Sequence, residues 1–133
     1  MAKEKIKDKV PSEYEEQKIV VKYLTELKEQ EKIITFFATT NENTTYKQSK
    51  KWAIIAEIKA RASGKRKGVS DLCVVLWDKV LFIEMKKNDK KARTKKEQIE
   101  FLKDINTSTA CFGSVCYGAR DAIDYINLFI KDR

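Results

Sequence analysis

Between residues 12 and 29 the apolar positions Tyr14, Val20, Val21, Leu24 and Leu27 recur at helical spacing behind Ser12, a good N-cap, and predict a first helix. Residues 33–38 form a β-rich run and 41–45 are polar turn material. Trp52, Ile55, Ala56 and Ile58 then predict a second helix that stops near Gly64. Two apolar, β-branched runs, 72–77 and 80–85, flank Asp78 and Lys79 and read as a hairpin of interior strands near the centre of a sheet. Thr94 with Glu97 three residues later has the form of a capping box, opening a helix through Ile99, Phe101, Leu102 and Ile105. Residues 109–117 predict another strand, closed by Gly118. Ala122, Ile123, Tyr125, Ile126, Phe129 and Ile130 make a final amphipathic helix. The order α-β-α-β-β-α-β-α, with no internal repeat, predicts an α/β fold: a central sheet flanked by helices.

With 133 residues and 42% hydrophobic content, the chain can build one packed domain, and we assign it to residues 12–133. The lysine-rich stretch 1–11, ending at Pro11, reads as a flexible basic N-terminal arm. The longest apolar run, 72–77, is far below the roughly 20 residues of a membrane-spanning helix, and the N-terminal stretch lacks a signal peptide's apolar core. A cytoplasmic location is expected. The odd set Cys73, Cys111 and Cys116 fits reduced thiols. Cys111 and Cys116 fall on opposite faces of one strand, so all three are expected to be small core residues. Trp52 and Trp77 lie in core-like periodic runs.

Charge changes the picture. The net +8 points to an acidic partner, nucleic acid first, while the absence of histidine removes histidine triads, histidine general bases and mixed Cys/His zinc sites. Asp71 opens the first hairpin strand, and Glu84 and Lys86 end the second. Residues i and i+2 of a strand share a face about 6.7 Å apart, so Glu84 and Lys86 project one way and Ile83 and Met85 the other. Charges that continue the apolar run 80–83 are costly unless paired, solvated or bound to metal. Two carboxylates and a backbone carbonyl suit a hard divalent ion with positions left open for water and phosphate. A neighbouring lysine can orient or deprotonate that water. Such a set hydrolyses a phosphodiester without histidine. The plain alternative is a strand-end salt bridge.

Gly68-Val69-Ser70-Asp71-Leu72, then Phe82-Ile83-Glu84-Met85-Lys86, then Gln98, with Glu13-Tyr14-Glu15-Glu16-Gln17 and Tyr23-Leu24 upstream, resembles the VRR-NUC branch of the PD-(D/E)xK nuclease superfamily. The likeness spans residues 12 to about 126 and implies a restriction-endonuclease-like fold with a mixed central sheet. It implies that Asp71, Glu84 and the Met85 carbonyl ligate Mg²⁺ or Mn²⁺, and that Lys86 positions the attacking water. Glu13 would supply a first-helix carboxylate, with Glu16 as the alternative if the register slips, and Gln17 and Gln98 would frame the site. Glu13 and Gln17 are i and i+4, so one helix face can present both. Acidic residues there would also favour the helix dipole by themselves. Ser70 stands where the superfamily's name has proline, which bears on turn geometry and removes no catalytic atom.

Seven of the eleven residues 86–96 are basic, and Lys59, Arg61, Lys65, Arg66 and Lys67 form a second cluster before Asp71. Lys65, Arg66, Lys67, Lys87, Lys90, Lys91 and Arg93 are therefore expected to track DNA phosphates, an interaction steep in salt and poor in sequence information. A solvated loop is the alternative for either run alone. The resemblance to stand-alone viral and bacterial members implies a homodimeric, metal-dependent endonuclease for branched DNA, acting as a Holliday-junction resolvase in the cytoplasm of a bacterium or virus-infected cell. The rivals are a non-catalytic DNA-binding module on the same fold, and a flap or linear-DNA nuclease.

Overall fold

The computed structural model describes residues 10–39, 50–89 and 91–130; most of the basic arm, the polar turn 41–45 and Lys90 lie outside them. The element order is α1 (Glu13–Glu29), β1 (Thr35–Ala38), α2 (Lys50–Ala62), β2 (Leu72–Val75), β3 (Val80–Lys86), α3 (Lys96–Ile105), β4 (Cys111–Tyr117) and α4 (Ala119–Ile130). The order matches the hydrophobic pattern, and three strands are shorter than their apolar runs. Ile33 is buried outside β1, and Leu76 is buried in the turn, where its N–H donates to the Lys79 carbonyl at 2.9 Å. Burial, not strand geometry, accounts for those apolar positions.

The sheet has the order β1-β2-β3-β4. β1, β2 and β3 run antiparallel in sequence, and β4 returns parallel to β3 through α3. The α1 and α4 helices cover one face, where Val20, Leu24, Leu81, Ile83, Met85, Ala122 and Ile126 are fully buried. The Tyr23 hydroxyl donates to Asn127 Oδ1 between these two helices. The other face carries α3: Phe101 meets Phe82 edge-on at 5.6 Å, and a Cβ on Gly113 would stand 2.6 Å from Leu102. Strand alternation therefore divides β3, with 81, 83 and 85 in the main core and 82, 84 and 86 under α3.

Helix starts follow local chemistry, with one correction. Ser12 caps α1 through a reciprocal pair, Glu15 N–H to Ser12 Oγ at 3.1 Å and Ser12 N–H to Glu15 Oε1 at 3.0 Å. For α3 the cap lies one residue later than Thr94/Glu97: Lys95 is the N-cap, and its N–H donates to Gln98 Oε1 at 2.9 Å. Gln98 wins because its side chain is held on the sheet side by Glu84, whereas Glu97 faces solvent.

The second correction concerns α2, none of whose residues is buried. Trp52 and Ile58 are each 62% exposed, and Trp77, at the β2–β3 turn, is 50% exposed, so neither tryptophan belongs to the core. Periodicity finds an apolar face without saying what covers it. Cys73 on β2 and Cys116 on β4 are buried, while Cys111, half-buried, lies on the face of β4 opposite Cys116 as strand alternation requires. Among the described residues, no helix is long and apolar enough to cross a membrane.

Candidate active site

Register brings the two acids together. Leu72 pairs with Ile83, so one step further the antiparallel ladder sets Asp71 opposite Glu84, both on the α3 face of the sheet. The last turn of the ladder is closed by a side chain, with Met85 N–H donating to Asp71 Oδ2 at 2.8 Å. In an extended strand a residue's N–H and C=O point to the same side, so the Met85 carbonyl also faces the edge occupied by Asp71.

Glu84 is 2% exposed. Its Oε2 accepts from Gln98 Nε2 at 2.8 Å and lies 3.8 Å from Lys86 Nζ, and Lys86 itself is 7% exposed. Its Oε1 is buried and accepts no hydrogen bond from the described residues. Burial, followed by the negative charge of Asp71, pushes the Glu84 carboxyl up to about 8, against the pull of Lys86; Glu13 adds a smaller upward push. Two carboxyl groups packed this closely need a shared proton or a cation between them.

An orphaned carboxylate oxygen, a second carboxylate across the ladder and a nearby peptide carbonyl form a donor set that fits Mg²⁺ or Mn²⁺. Among the described residues, no three His, Cys, Asp or Glu gather closely enough to enclose a metal. The donor chemistry excludes a closed structural zinc site of the usual kind.

The first helix treats its acids differently. Glu13 is exposed in the opening turn of α1 and reaches Glu84 through its charge, while Gln17, half-buried, lies on the same helical face one turn on. Glu16 is buried, and its Oε1 accepts from Ala119 N–H at 3.1 Å, capping α4. Gly118 makes this approach possible: its φ is +89°, its N–H donates to the Lys86 carbonyl at 2.9 Å, and a Cβ would stand 3.0 Å from Glu16 Oε2.

Of the basic residues, Lys87, Lys91 and Arg93 are exposed on the segment leaving β3. Lys65 pairs with Glu57 at 3.1 Å, and Arg66 pairs with Asp104 at 2.7 Å while lying over the Phe101 ring. Lys67 makes no ion pair among the described residues. The 64–70 loop is pressed against α3, because a Cβ on Gly68 (φ +84°) would stand 2.4 Å from the Glu97 carbonyl and 2.7 Å from Gln98 N. Sequence reasoning missed the groove built by this approach and the place of Lys95 in it; only the glycine before Ser70-Asp71 hinted at a close backbone contact.

Compared with solved structures, the chain is similar to a VRR_NUC domain protein, with a TM-score of 0.64 and 18% identity over 92% of this chain and 91% of that one. The mixed four-stranded sheet flanked by four helices is thus the fold of a VRR_NUC domain protein, as the sequence motifs imply. No family model and no curated protein matches the chain.

Proposed function

We propose that this chain is a VRR-NUC-type, metal-dependent endodeoxyribonuclease that hydrolyses phosphodiester bonds in branched DNA, four-way junctions first. The observation that carries this reading is the meeting of buried Glu84, Asp71 and Lys86 at one end of β3, tied to Gln98. Asp71, Glu84 and the Met85 carbonyl would hold Mg²⁺ or Mn²⁺, which when bound supplies charge neutralisation at the phosphate and a water of lowered pKa. Lys86 orients the attacking water, its ammonium kept beside Glu84 by burial. Gln98 fixes the Glu84 carboxylate, and Glu13 with Gln17 extends the polar rim from α1. Glu16 serves the site indirectly, by holding α4 against α1. Lys65, Arg66, Lys67, Lys87, Lys91 and Arg93 supply positive charge around the acids, and this favours recognition of backbone shape over base identity. Two such sites related by a twofold axis suit paired incisions across a junction, hence a homodimer.

The test is cleavage of labelled four-way, flap and linear DNA with Mg²⁺, Mn²⁺ or EDTA, wild type against Asp71→Asn. Metal-dependent, symmetric cutting of the four-way substrate, absent in the variant, is expected. Cutting by Asp71→Asn at the wild-type rate overturns the metal-ligand role. Binding without cutting under every metal makes the chain a non-catalytic DNA-binding module, and preferred cutting of flaps or linear DNA replaces the junction as substrate.

A further inference from the structure

Beside the acids, a groove of about 480 Å³ runs between the 64–70 loop and the start of α3, lined by Lys67, Lys95, Glu97 and Gln98 among others. Gln98 belongs to both places, because its amide N–H holds Glu84 at 2.8 Å while the residue also lines the groove. The groove therefore begins one side chain away from the acids. A second hollow of about 450 Å³, sharing Lys67 and Glu97, continues it outward along α3 towards Arg61 and Glu100. The whole is a channel leading away from the candidate active site.

Its cations are not equivalent. Lys65 and Arg66 already pair with Glu57 and Asp104 at 3.1 and 2.7 Å. Lys67 and Lys95 line the groove without an ion pair among the described residues, on the two segments that Gly68 locks together. Lys67 precedes the glycine whose Cβ would strike Glu97 and Gln98, and Lys95 is the residue whose N–H Gln98 caps. Two ammonium groups without an ion pair among the described residues, on backbones held in fixed contact, suit an anion between them. Glu97, which also lines the groove, already supplies the acid that the positive end of α3 favours, so the lysines carry the anion preference.

We propose that Lys67 and Lys95 clamp the backbone phosphate next to the one at the acids, so that the groove sets which bond of the strand is presented to Asp71 and Glu84. This rests on the nuclease reading and adds a strand-positioning site to it. The two lysines are positioning residues.

Binding and cutting separate the two ideas. Affinity of the full chain for a labelled four-way DNA junction is measured by anisotropy in EDTA, with single neutral methylphosphonate linkages moved along one strand. In parallel, the cut is mapped on the unmodified junction with Mg²⁺. Wild type should lose about tenfold at one linkage adjoining the cut. Lys67→Ala/Lys95→Ala should bind unmodified DNA about tenfold more weakly, lower the salt slope by about one and become indifferent to that linkage. It should also blur the position of cutting, while Lys28→Ala, in the last turn of α1, changes affinity less than about threefold. Both substituted lysines are exposed, and the circular dichroism of the variant reports folding. An unchanged linkage profile in the double variant, or an equal loss in Lys28→Ala, overturns the clamp even if cutting persists. Absence of cutting under every metal, with the linkage effect intact, overturns the nuclease reading and leaves a phosphate clamp. DNA that does not bind in EDTA overturns both.

Discussion

Glu84 carries the strongest physical signature among the individual residues, because a buried carboxyl beside a second carboxyl cannot hold its charge without help. Raised to about 8 in the folded chain and near 4.5 when unfolded, it favours folding fully below about pH 4.5 and loses that contribution as pH rises through 8. EDTA-treated protein should therefore melt at lower temperature at pH 8.5 than at pH 6, and Mg²⁺ should raise the midpoint more at the higher pH; equal midpoints in EDTA would remove this account. Lys86→Ala should lower cleavage by about 10²-fold or more while sparing DNA affinity, since the exposed basic residues remain. Unchanged turnover would return Lys86 to a purely ionic partner of Glu84. Ser70 has the opposite character: its hydroxyl is fully buried without a hydrogen-bond partner among the described residues. Ser70→Ala is expected to stabilise the fold by about 1 kcal/mol in denaturant titration, with cleavage intact.

Elements decide how the residues meet. The acids face each other because the β2–β3 register continues one step past Leu72 and Ile83, and Gln98 reaches them because α3 lies on the same face of the sheet. The link between loop and helix is Gly68, where a side chain meets both a positive φ and the Glu97 backbone at 2.4 Å. Gly68→Ala should cost about 2–4 kcal/mol and pull Gln98 from Glu84, so cleavage at a temperature where the variant is fully folded should also fall. Stability within about 0.5 kcal/mol of wild type would mean that α3 can move away freely.

At the scale of the whole molecule, α2 is the anomaly. A helix of 13 residues with none buried is marginal in water on its own, yet this one presents Ile54 and Ile58 to solvent. The proposed homodimer would cover that face. Sedimentation should give a dimer for wild type and a monomer for Ile54→Glu/Ile58→Glu, with symmetric junction cutting reduced to single nicks. A monomeric wild type that still makes paired cuts would end the twofold account.

The order of eight elements, the alternation that puts Glu84 and Lys86 on one face, and the pairing of Glu13 with Gln17 on one helix were all legible along the chain. Each depends on spacings of two to four residues, which strand and helix geometry fix locally. Tertiary structure decided the rest. The cap of α3 moved from Thr94 to Lys95 because Gln98 is anchored by Glu84 from another element. Trp52 and Trp77 are exposed because periodicity does not say whether another surface lies opposite. Glu16 turned to α4, leaving Glu13 as the α1 carboxylate whose charge reaches Glu84, and the groove at Lys67 and Lys95 exists only where Gly68 lets two backbones touch. Contacts between segments 14 to 103 residues apart are set by packing, and local spacing carries no record of them.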